Sequence, residues 1–258
     1  MIEVHNLTFG YSSTEDGQIL KGVDFVAKTG KLTALIGTNG AGKSTLLKTI
    51  MGILKGKGEI SVNGKPVSQY STKDFSSTVS YLSQDNDCKV NLSVFEVVML
   101  GRMGSMSFRV SDEDIAATQE VLERLNLQRF ASRSIMELSG GQRQLVFMAQ
   151  ALVKEPKILI LDEPTSALDL HKQFDLLTLL KNLTQENDFT TLVTLHHLDL
   201  AAMFADEIIV LKEGRVYAQG APKDIFTEAM MEDVYRVRTK IYMDDKGMPH
   251  VIPLEAIY

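Results

Sequence analysis

The sequence has little cysteine, no long apolar run and no excess of basic residues, and each shortage excludes a class of protein. Cys88 is the only cysteine among 258 residues, so a disulfide scaffold is excluded and a cytosolic setting is expected. No run of about 18 apolar residues occurs, which leaves no candidate membrane-spanning helix. The first residues lack the basic and apolar regions of a secretory signal, so none is expected. The net charge of −6 disfavours a nucleic-acid binder, which usually carries a basic stripe.

What is present is typical of a folded domain. Apolar residues make up 44% and charged residues 23% of the chain, and no repeat, charge block or low-complexity tract interrupts it. Short apolar runs alternate with segments of helical periodicity after residue 30, which favours an α/β fold with a parallel sheet core. The length allows one large domain, with or without an inserted subdomain.

The stretch Gly37–Thr45 fits the phosphate-binding pattern G-x-x-x-x-G-K-[ST]. The apolar run 32–36 before it predicts a buried strand, and the spacing of apolar residues after Ser44 predicts a helix. Glycines let such a loop curl its N–H groups around an anion, and the helix start adds its dipole. Lys43 then supplies charge for the phosphates and Ser44 a hydroxyl for Mg²⁺. The alternative is a glycine-rich turn with an incidental lysine.

Two adjacent acids end another predicted buried strand. The run 158–161 is apolar, and Asp162 and Glu163 follow it. Asp162 is suited to hold Mg²⁺ opposite the loop serine, and Glu163 to orient an attacking water. A solvated acidic turn is the alternative.

A third motif, Leu138–Gln142, reads Leu-Ser-Gly-Gly-Gln and predicts a helix start with small residues, which is a further possible anion site. Either it is a helix cap and nothing more, or it serves a nucleotide held by another copy of the chain. The spacing does not decide between these two.

The order of these motifs resembles that of an ABC transporter ATPase. Gly37–Thr45, Gln84, Leu138–Gln142, the stretch 158–164, the stretch 166–169 and His196 occur in the family's order. The resemblance runs from about Ile2 to the C-terminus. It implies an α/β P-loop NTPase fold (ABC ATPase) with a mixed sheet core, an N-terminal antiparallel β subdomain and an inserted helical subdomain. It also implies that Leu138–Gln142 completes the site of an opposite subunit.

The resemblance implies a role for each matching residue. Tyr11 would stack on adenine, Gln84 would sense Mg²⁺ and the attacking water, and His196 would contact the γ-phosphate. Asp162 would bind the metal, Glu163 would be the catalytic glutamate, and Lys43 would act in catalysis as well as in binding. The other expected nucleotide contacts are Asn39, Gly40, Ala41, Gly42, Ser44, Thr45 and, from the partner subunit, Ser139, Gly141 and Gln142.

Two positions depart from the family pattern. His197 stands where the family usually has aspartate, so His197 is the alternative to His196 as the switch histidine. Thr38 replaces a frequent proline, and little effect is expected because its neighbours carry the backbone donors. Asp169 resembles the family's acid at the dimer seam.

The resemblance implies ATP and Mg²⁺ as cofactors, a second copy of the chain as partner in an ATP-sandwich homodimer, and separate integral membrane permease subunits. A substrate-binding protein is an indirect partner, nucleic acid is not expected, and the location is the cytoplasmic face of the cell membrane. The stretches 97–102, 167–173, 216–220 and 234–235 resemble ATPases of siderophore, haem and cobalamin importers. Another class of ABC transporter, or a soluble ABC protein acting on nucleic acid or ribosomes, is the alternative.

The expected division of the single ABC ATPase domain, residues 1–258, is a catalytic core of 1–85 and 154–220, a helical subdomain of 86–153 and a C-terminal extension of 221–258. Several local expectations accompany it. Strands are predicted at 2–4 and 7–9, and a helix from Ser111 to Leu125 with Ile115 on its apolar face. A single helix is predicted near Lys223–Arg236, followed by a hairpin around Asp244–Gly247.

Overall fold

The structure is a computed structural model that describes residues 1–12, 17–84, 91–102 and 110–258, so Cys88 lies outside the described residues. The chain divides into two compact units, residues 1–69 with 176–258, and residues 70–175. This division does not test the predicted bounds of the catalytic core, the helical subdomain and the C-terminal extension, which stay predictions. Within the described ranges, no helix has both the length and the apolar character needed to cross a bilayer.

The strands are β1 (Ile2–Gly10), β2 (Gln18–Ala27), β3 (Leu32–Ile36), β4 (Lys57–Val62), β5 (Lys65–Pro66), β6 (Val79–Leu82), β7 (Ile158–Leu161), β8 (Thr190–Thr194), β9 (Glu207–Lys212), β10 (Arg215–Gly220), β11 (Val237–Met243) and β12 (Pro249–Ala256). The α-helices are α1 (Lys43–Ile50), α2 (Thr72–Thr78), α3 (Val94–Met99), α4 (Asp112–Arg124), α5 (Gly140–Leu152), α6 (Leu170–Glu186), α7 (Leu198–Phe204), α8 (Pro222–Ile225) and α9 (Glu228–Met230). Short 3₁₀ turns lie at Val67–Gln69, Leu100–Arg102, Gln128–Phe130 and Ile135–Glu137, and a π-helix at Met231–Tyr235.

The first unit contains a mixed sheet in the order β10-β9-β3-β8. Strand β3 pairs in parallel with both β8 and β9, and β10 pairs back on β9 as a hairpin. Every residue of β3 and β8 is buried, which explains their continuous runs of apolar residues and threonine. Because parallel strands end at the same edge, the segments that follow β3, β8 and β9 emerge together.

A separate antiparallel sheet in the order β2-β1-β4-β5 contains the N-terminus. The prediction of two strands at 2–4 and 7–9 is wrong, because β1 is continuous. A bulge interrupts its pairing, with Asn6 at φ 47°. Asparagine tolerates this left-handed conformation, so the strand bends there without ending. Asn63 and Gly64 make the predicted tight turn between β4 and β5, with φ of 48° and 75°.

The turn Glu213–Gly214 in the first unit also makes contacts outside its own hairpin. The Gly214 N–H donates to the Ala41 carbonyl at 3.1 Å, and the Gly214 carbonyl accepts from the Lys21 N–H at 2.8 Å. Gly214 has φ 79°, and a Cβ there would lie 2.0 Å from the Ile19 carbonyl oxygen. Only glycine therefore fits between these two backbone segments.

The second unit combines parallel strands β6 and β7 with helices α2 to α5. Ser93 caps α3 and Ser111 caps α4, each in a capping box with the residue at the third helical position. The prediction that Ile115 lies on the apolar face of α4 is wrong, because its exposed fraction is 37%. Asp114, Thr118 and Leu122 form the buried face instead.

A charged pair accounts for the buried acid on α4. Arg102 Nε donates to Asp114 Oδ1 at 2.6 Å, and Arg102 Nη1 donates to the Val153 carbonyl at 3.1 Å. The Ser111 N–H and hydroxyl donate to Asp114 Oδ2. The hydrogen bond from Arg102, and then those from Ser111, lower the pKa of Asp114 to about 2.

The prediction of a single helix near Lys223–Arg236 is wrong. Helix α8 ends before Phe226, whose side chain is only 1% exposed and whose ψ of 93° leaves the helical region. Thr227 then caps α9 through a hydrogen bond from the Met230 N–H, and the π-helix Met231–Tyr235 follows. Burial of Phe226 thus breaks the helix. The predicted hairpin around Asp244–Gly247 is confirmed, as the β11–β12 pair.

Candidate active site

The loop between β3 and α1 has the geometry predicted for a phosphate-binding loop. Gly37, Gly40 and Gly42 have φ of 148°, 79° and 104°. Gly42 stands immediately before the first residue of α1, so the loop leads directly into the unpaired N–H groups of a helix start. The loop is closed at Gly37, where a Cβ would lie 2.2 Å from the Leu211 carbonyl oxygen, and open at Gly40, where a Cβ would meet nothing within 4 Å.

Lys43 lies over this loop rather than in solvent. The residue is buried, with 6% of its surface exposed, and its Nζ donates to the Gly37 carbonyl at 2.8 Å and to the Thr38 carbonyl at 3.1 Å. A positive charge is therefore held against the backbone that surrounds the anion position. Asn39 and Gly40 at the tip are exposed, Ala41 and Gly42 are buried, and Ser44 and Thr45 are half-buried.

His196 lies at the same sheet edge as the loop. Strands β3 and β8 pair in parallel with Leu35 opposite Thr194, and the Leu195 N–H donates to the Leu35 carbonyl at 3.4 Å. His196 comes next and is exposed. His197 is also exposed. It is the residue before α7, and its side chain makes no capping hydrogen bond to that helix. Which of the two histidines contacts the γ-phosphate therefore stays a prediction.

Tyr11 follows strand β1 and has an exposed fraction of 71%. Its ring stands edge-on to that of Phe9, with centroids 5.0 Å apart and an angle of 86° between the planes. An exposed aromatic face held by a neighbouring ring is available for stacking, which is compatible with the predicted contact to adenine.

In the second unit, the two acids after β7 have different environments. Asp162 is 2% exposed, and its N–H donates to the Leu82 carbonyl at 2.9 Å. Glu163 is half-buried, and its Oε2 accepts from Gln84 Nε2 at 2.8 Å. Glu163 has φ 52°, a left-handed conformation that is uncommon for a residue with a side chain. The structure thus brings together two of the predicted catalytic residues, Gln84 and Glu163.

Gln144 is a residue of this region that the sequence analysis missed. It is buried on α5, where its Nε2 donates to the Glu163 carbonyl at 3.0 Å and its Oε1 accepts from the Ala167 N–H at 3.2 Å. The Ser166 hydroxyl donates to the same Glu163 carbonyl at 3.0 Å. These bonds hold the turn after the acids against α5. The sequence contains one sign of this role: Gln144 stands one helical turn before Met148, so it is a polar residue on the apolar face of the helix.

Helix α5 begins at the predicted third motif. The Ser139 hydroxyl accepts from the Gln142 N–H at 3.4 Å, and the Gln142 side chain accepts from the Ser139 N–H at 2.9 Å. Ser139 is exposed, so the helix start is accessible. A Cβ on Gly141 would lie 2.9 Å from the Ala167 carbonyl oxygen, which excludes a larger residue without a shift. A helix cap is therefore present, and it does not decide whether the start also binds a phosphate.

Asp169 caps the start of α6. Its carboxylate accepts from the Lys172 N–H at 3.0 Å and pairs with the Lys172 ammonium at 3.0 Å. The backbone hydrogen bond, and then the bond from the Lys172 side chain, lower the pKa of Asp169 below its ordinary value.

The predicted residues are divided between the two units. Tyr11, the loop and His196 belong to the first unit, whereas Gln84, Ser139, Gly141, Gln142, Asp162 and Glu163 belong to the second. Within the described residues, no group of three or more His, Cys, Asp or Glu side chains could hold a metal ion.

The chain is similar to proteins of known family. A model of the ABC transporter family matches residues 20–166. The chain is 36% identical over 248 residues to the iron(3+)-hydroxamate import ATP-binding protein FhuC of Bacillus subtilis, with 95% of this chain and 91% of the relative covered. It is 35% identical over 252 residues to the ferric enterobactin transport ATP-binding protein FepC of Escherichia coli, with 96% and 92% covered.

Solved structures agree with the sequence comparison. A metal-chelate type ABC transporter in an inward-facing conformation is similar with a TM-score of 0.83 and 29% identity, over 98% of this chain and 97% of the other. A dimeric ATP-binding cassette in a post-hydrolysis state, bound to ADP and Pi, is similar with a TM-score of 0.77 and 30% identity, over 86% and 98%. The predicted α/β P-loop fold is confirmed, and the chain belongs to the ABC transporter family as one of its ATP-binding, ATP-hydrolysing subunits.

Proposed function

We propose that this chain powers the import of a metal chelate, such as an iron siderophore or haem, or of a cobalamin-type compound, through a separate membrane permease. The observation that carries the proposal is the similarity of nearly the whole chain to ATP-binding proteins named for iron-chelate import. In this role the chain sits at the cytoplasmic face of the membrane, held there by the permease, and a substrate-binding protein delivers the cargo.

The chemistry is the attack of water on the γ-phosphorus of ATP. The bond from the water oxygen to phosphorus forms as the bond to the β–γ bridging oxygen breaks, giving ADP and phosphate. The Gly37–Thr45 loop binds the phosphates, and Lys43 stabilises their charge. Glu163 orients the water and, as general base, accepts the proton that the water loses. Gln84 positions the Glu163 carboxylate, and His196 contacts the γ-phosphate.

Mg²⁺ fits the residues of the site. The Ser44 hydroxyl and the buried Asp162 carboxylate would supply oxygen ligands, the type that Mg²⁺ prefers. Mg²⁺ usually takes few protein ligands, because phosphates and waters fill its shell. The ion supplies charge neutralisation on the phosphates when bound. The lack of a larger acidic cluster in the described parts of the chain is compatible with this arrangement.

We propose further that two copies enclose ATP, as the similarity to a dimeric cassette supports. Ser139, Gly141 and Gln142 of one copy then complete the site built on the other copy's loop. Ser139→Arg and Lys43→Ala should each be inactive alone, whereas an equal mixture forms hybrid dimers with one intact site and should recover about a quarter of the normal rate. No recovery at any mixing ratio, with both variants folded and associating, would contradict a shared site.

The experiment for the transport function is purification of the chain together with the membrane protein that binds it, followed by reconstitution in vesicles. ATPase activity is then measured with ferric hydroxamate, ferric catecholate, haem and cobalamin, each presented with its binding protein. Stimulation by one of these compounds supports the proposal. Stimulation only by a free metal ion, sugar or amino acid, or copurification only with ribosomes, would assign the chain to another class of ABC protein.

A further inference from the structure

A second buried glutamine of the second unit bonds to the chain that follows β7. Gln173 lies in the first turn of α6 and is 8% exposed. Its Nε2 donates to the Thr165 carbonyl at 3.2 Å and to the Leu168 carbonyl at 3.0 Å. Burying an amide costs free energy unless its polar atoms are hydrogen-bonded, and here two carbonyls match the two N–H groups of the amide. Gln173 is thus bonded to both ends of the segment 165–168.

The same segment is bonded to α5 by the buried Gln144. Its Oε1 accepts from the Ala167 N–H at 3.2 Å, and its Nε2 donates to the Glu163 carbonyl at 3.0 Å. Within the segment, the Leu168 N–H donates to the Thr165 carbonyl at 3.1 Å. Two amide side chains, one from each flanking helix, therefore hold four backbone groups between Glu163 and Leu168.

The residue before this segment's proline has an unusual backbone. Glu163 has φ 52°, in the left-handed region that a residue with a side chain keeps only when its surroundings impose it. On one side, the Asp162 N–H is fixed by its bond to the Leu82 carbonyl at 2.9 Å. On the other side, the Glu163 carbonyl accepts from Gln144 and from the Ser166 hydroxyl. The direction of the Glu163 side chain therefore depends on the peptide groups on both sides of it.

We propose that Gln173 is a positioning residue for ATP hydrolysis, which acts with Gln144 to keep Glu163 in the left-handed conformation that directs its carboxylate at the attacking water. Gln173 touches neither the nucleotide nor the water in this role. Without its amide, the segment 165–168 loses two of its hydrogen bonds, and Glu163 relaxes toward a more favourable backbone that turns the carboxylate away. The inference rests on the proposed role of Glu163 toward the attacking water.

The test compares Gln173→Met with Thr184→Val in the full chain. The first change removes the amide and keeps the length of the side chain. The second is a matched control on the same helix, because it removes a buried hydroxyl whose partners, the Leu180 carbonyl and the Thr191 hydroxyl, lie outside the segment. Both variants should lose stability, so a fall in activity caused by instability alone would appear in both.

The expected difference is in kcat. Gln173→Met should lower kcat for ATP hydrolysis about tenfold to a hundredfold, the cost of misplacing a reacting group by about 1 Å. Its KM for ATP should stay within about twofold, since the Gly37–Thr45 loop is unchanged. Thr184→Val should leave both constants at the unmodified values. A kcat of Gln173→Met within about threefold of the unmodified value would overturn the inference.

A second comparison asks whether Gln173 acts through Glu163. In a Glu163→Gln background the carboxylate is already gone, so adding Gln173→Met should change kcat by less than about twofold. A loss in this background as large as that in the unmodified protein would show that Gln173 acts by another route, and the inference would be wrong.

A measurement on the unmodified protein decides the matter if Gln173→Met does not fold. The Nε2 hydrogens of Gln173, followed by NMR, should exchange with solvent far more slowly than those of the exposed Gln128. Equal exchange rates would contradict the inference, because an amide that is not held by the segment cannot hold the segment.

The proposed role of Glu163 has a separate control. If Glu163→Gln hydrolyses ATP at the normal rate, the role of Glu163 itself is wrong. If Glu163→Gln is slow while a folded Gln173→Met hydrolyses ATP normally, only the inference on Gln173 is wrong.

Discussion

Replacing Glu163 by glutamine separates ATP binding from hydrolysis. The substitution keeps the size of the side chain, and the new amide oxygen can still accept from Gln84 Nε2, which now lies 2.8 Å from Glu163 Oε2. The backbone bonds from Gln144 and Ser166 to the carbonyl of residue 163 do not involve the side chain. We therefore expect the free energy of unfolding to change by less than about 0.5 kcal/mol.

The expected loss is in the chemical step. A positioned general base contributes roughly 10²-fold to 10⁴-fold to a rate, which is about 2.7 to 5.4 kcal/mol of activation free energy. Phosphate release by Glu163→Gln should fall by that factor, while calorimetry shows ATP binding within about threefold of normal. Since bound ATP is no longer hydrolysed, the ATP-bound dimer should accumulate and appear on gel filtration.

The chain offers a matched control for this prediction. Glu155 is exposed, precedes β7 and has φ 50°, close to the 52° of Glu163, so Glu155→Gln makes the same chemical change on the same kind of backbone. Its hydrolysis rate should be normal. A turnover of Glu163→Gln within about threefold of the unmodified protein, measured beside this control, would refute the assigned role.

Three further perturbations follow from the contacts described above. Gln144→Leu removes the side-chain bonds to the Glu163 carbonyl and the Ala167 N–H, of which the carbonyl keeps its bond from Ser166, and should lower the free energy of unfolding by about 1 to 3 kcal/mol in urea titrations. Asp114 has a folded-state pKa of about 2, below its ordinary value of 3.8, so the stability it contributes should be complete above about pH 4 and lost as the pH falls toward 2. In thermal melts across this range, Asp114→Asn should show a weaker dependence on pH. Gly37→Ala, with a Cβ 2.2 Å from the Leu211 carbonyl oxygen, should lose ATP binding and unfold at a lower temperature.

Each of these changes has its own comparison. Gln150→Leu, on the half-buried face of the same helix, should cost less than Gln144→Leu. Gly64→Ala measures the cost of a side chain at positive φ without a steric clash, because Gly64 also has positive φ but a Cβ there would meet nothing within 4 Å. Equal effects at Gly37 and Gly64, equal effects at the two glutamines, or an unchanged acid transition in Asp114→Asn would contradict the corresponding argument.

The sequence predicts the core of the fold well because the signals there are local. Strand β3, the glycine loop and α1 are contiguous, and each carries its own pattern: buried apolar residues, glycines at positive φ and helical spacing. The helix predicted from Ser111 to Leu125 rests on an equally local signal and is confirmed as α4, with Ser111 as its N-cap. The identity of the family follows from these motifs and their order.

The failures have non-local causes. Residues 223–236 have helical periodicity, but Phe226 is buried in the core and the helix ends there. Periodicity contains no information about the burial of a single side chain by distant residues. On α4 the buried position is taken by Asp114, whose carboxylate pairs with Arg102, and the neighbouring Ile115 is exposed.

Hairpin turns are the usual places for insertions, and two of those in the first unit differ in how well they should tolerate one. The Asn63–Gly64 turn faces open space, so an epitope or a labelled residue inserted there should leave the protein working. The Glu213–Gly214 turn is different, since one glycine links the backbone of β2 to the backbone of the phosphate-binding loop through its two hydrogen bonds. An insertion there would separate Ala41 from Lys21 and alter the loop from a distance. The two turns are equally short, but only the length of the Glu213–Gly214 turn is constrained by its contact with the Gly37–Thr45 loop.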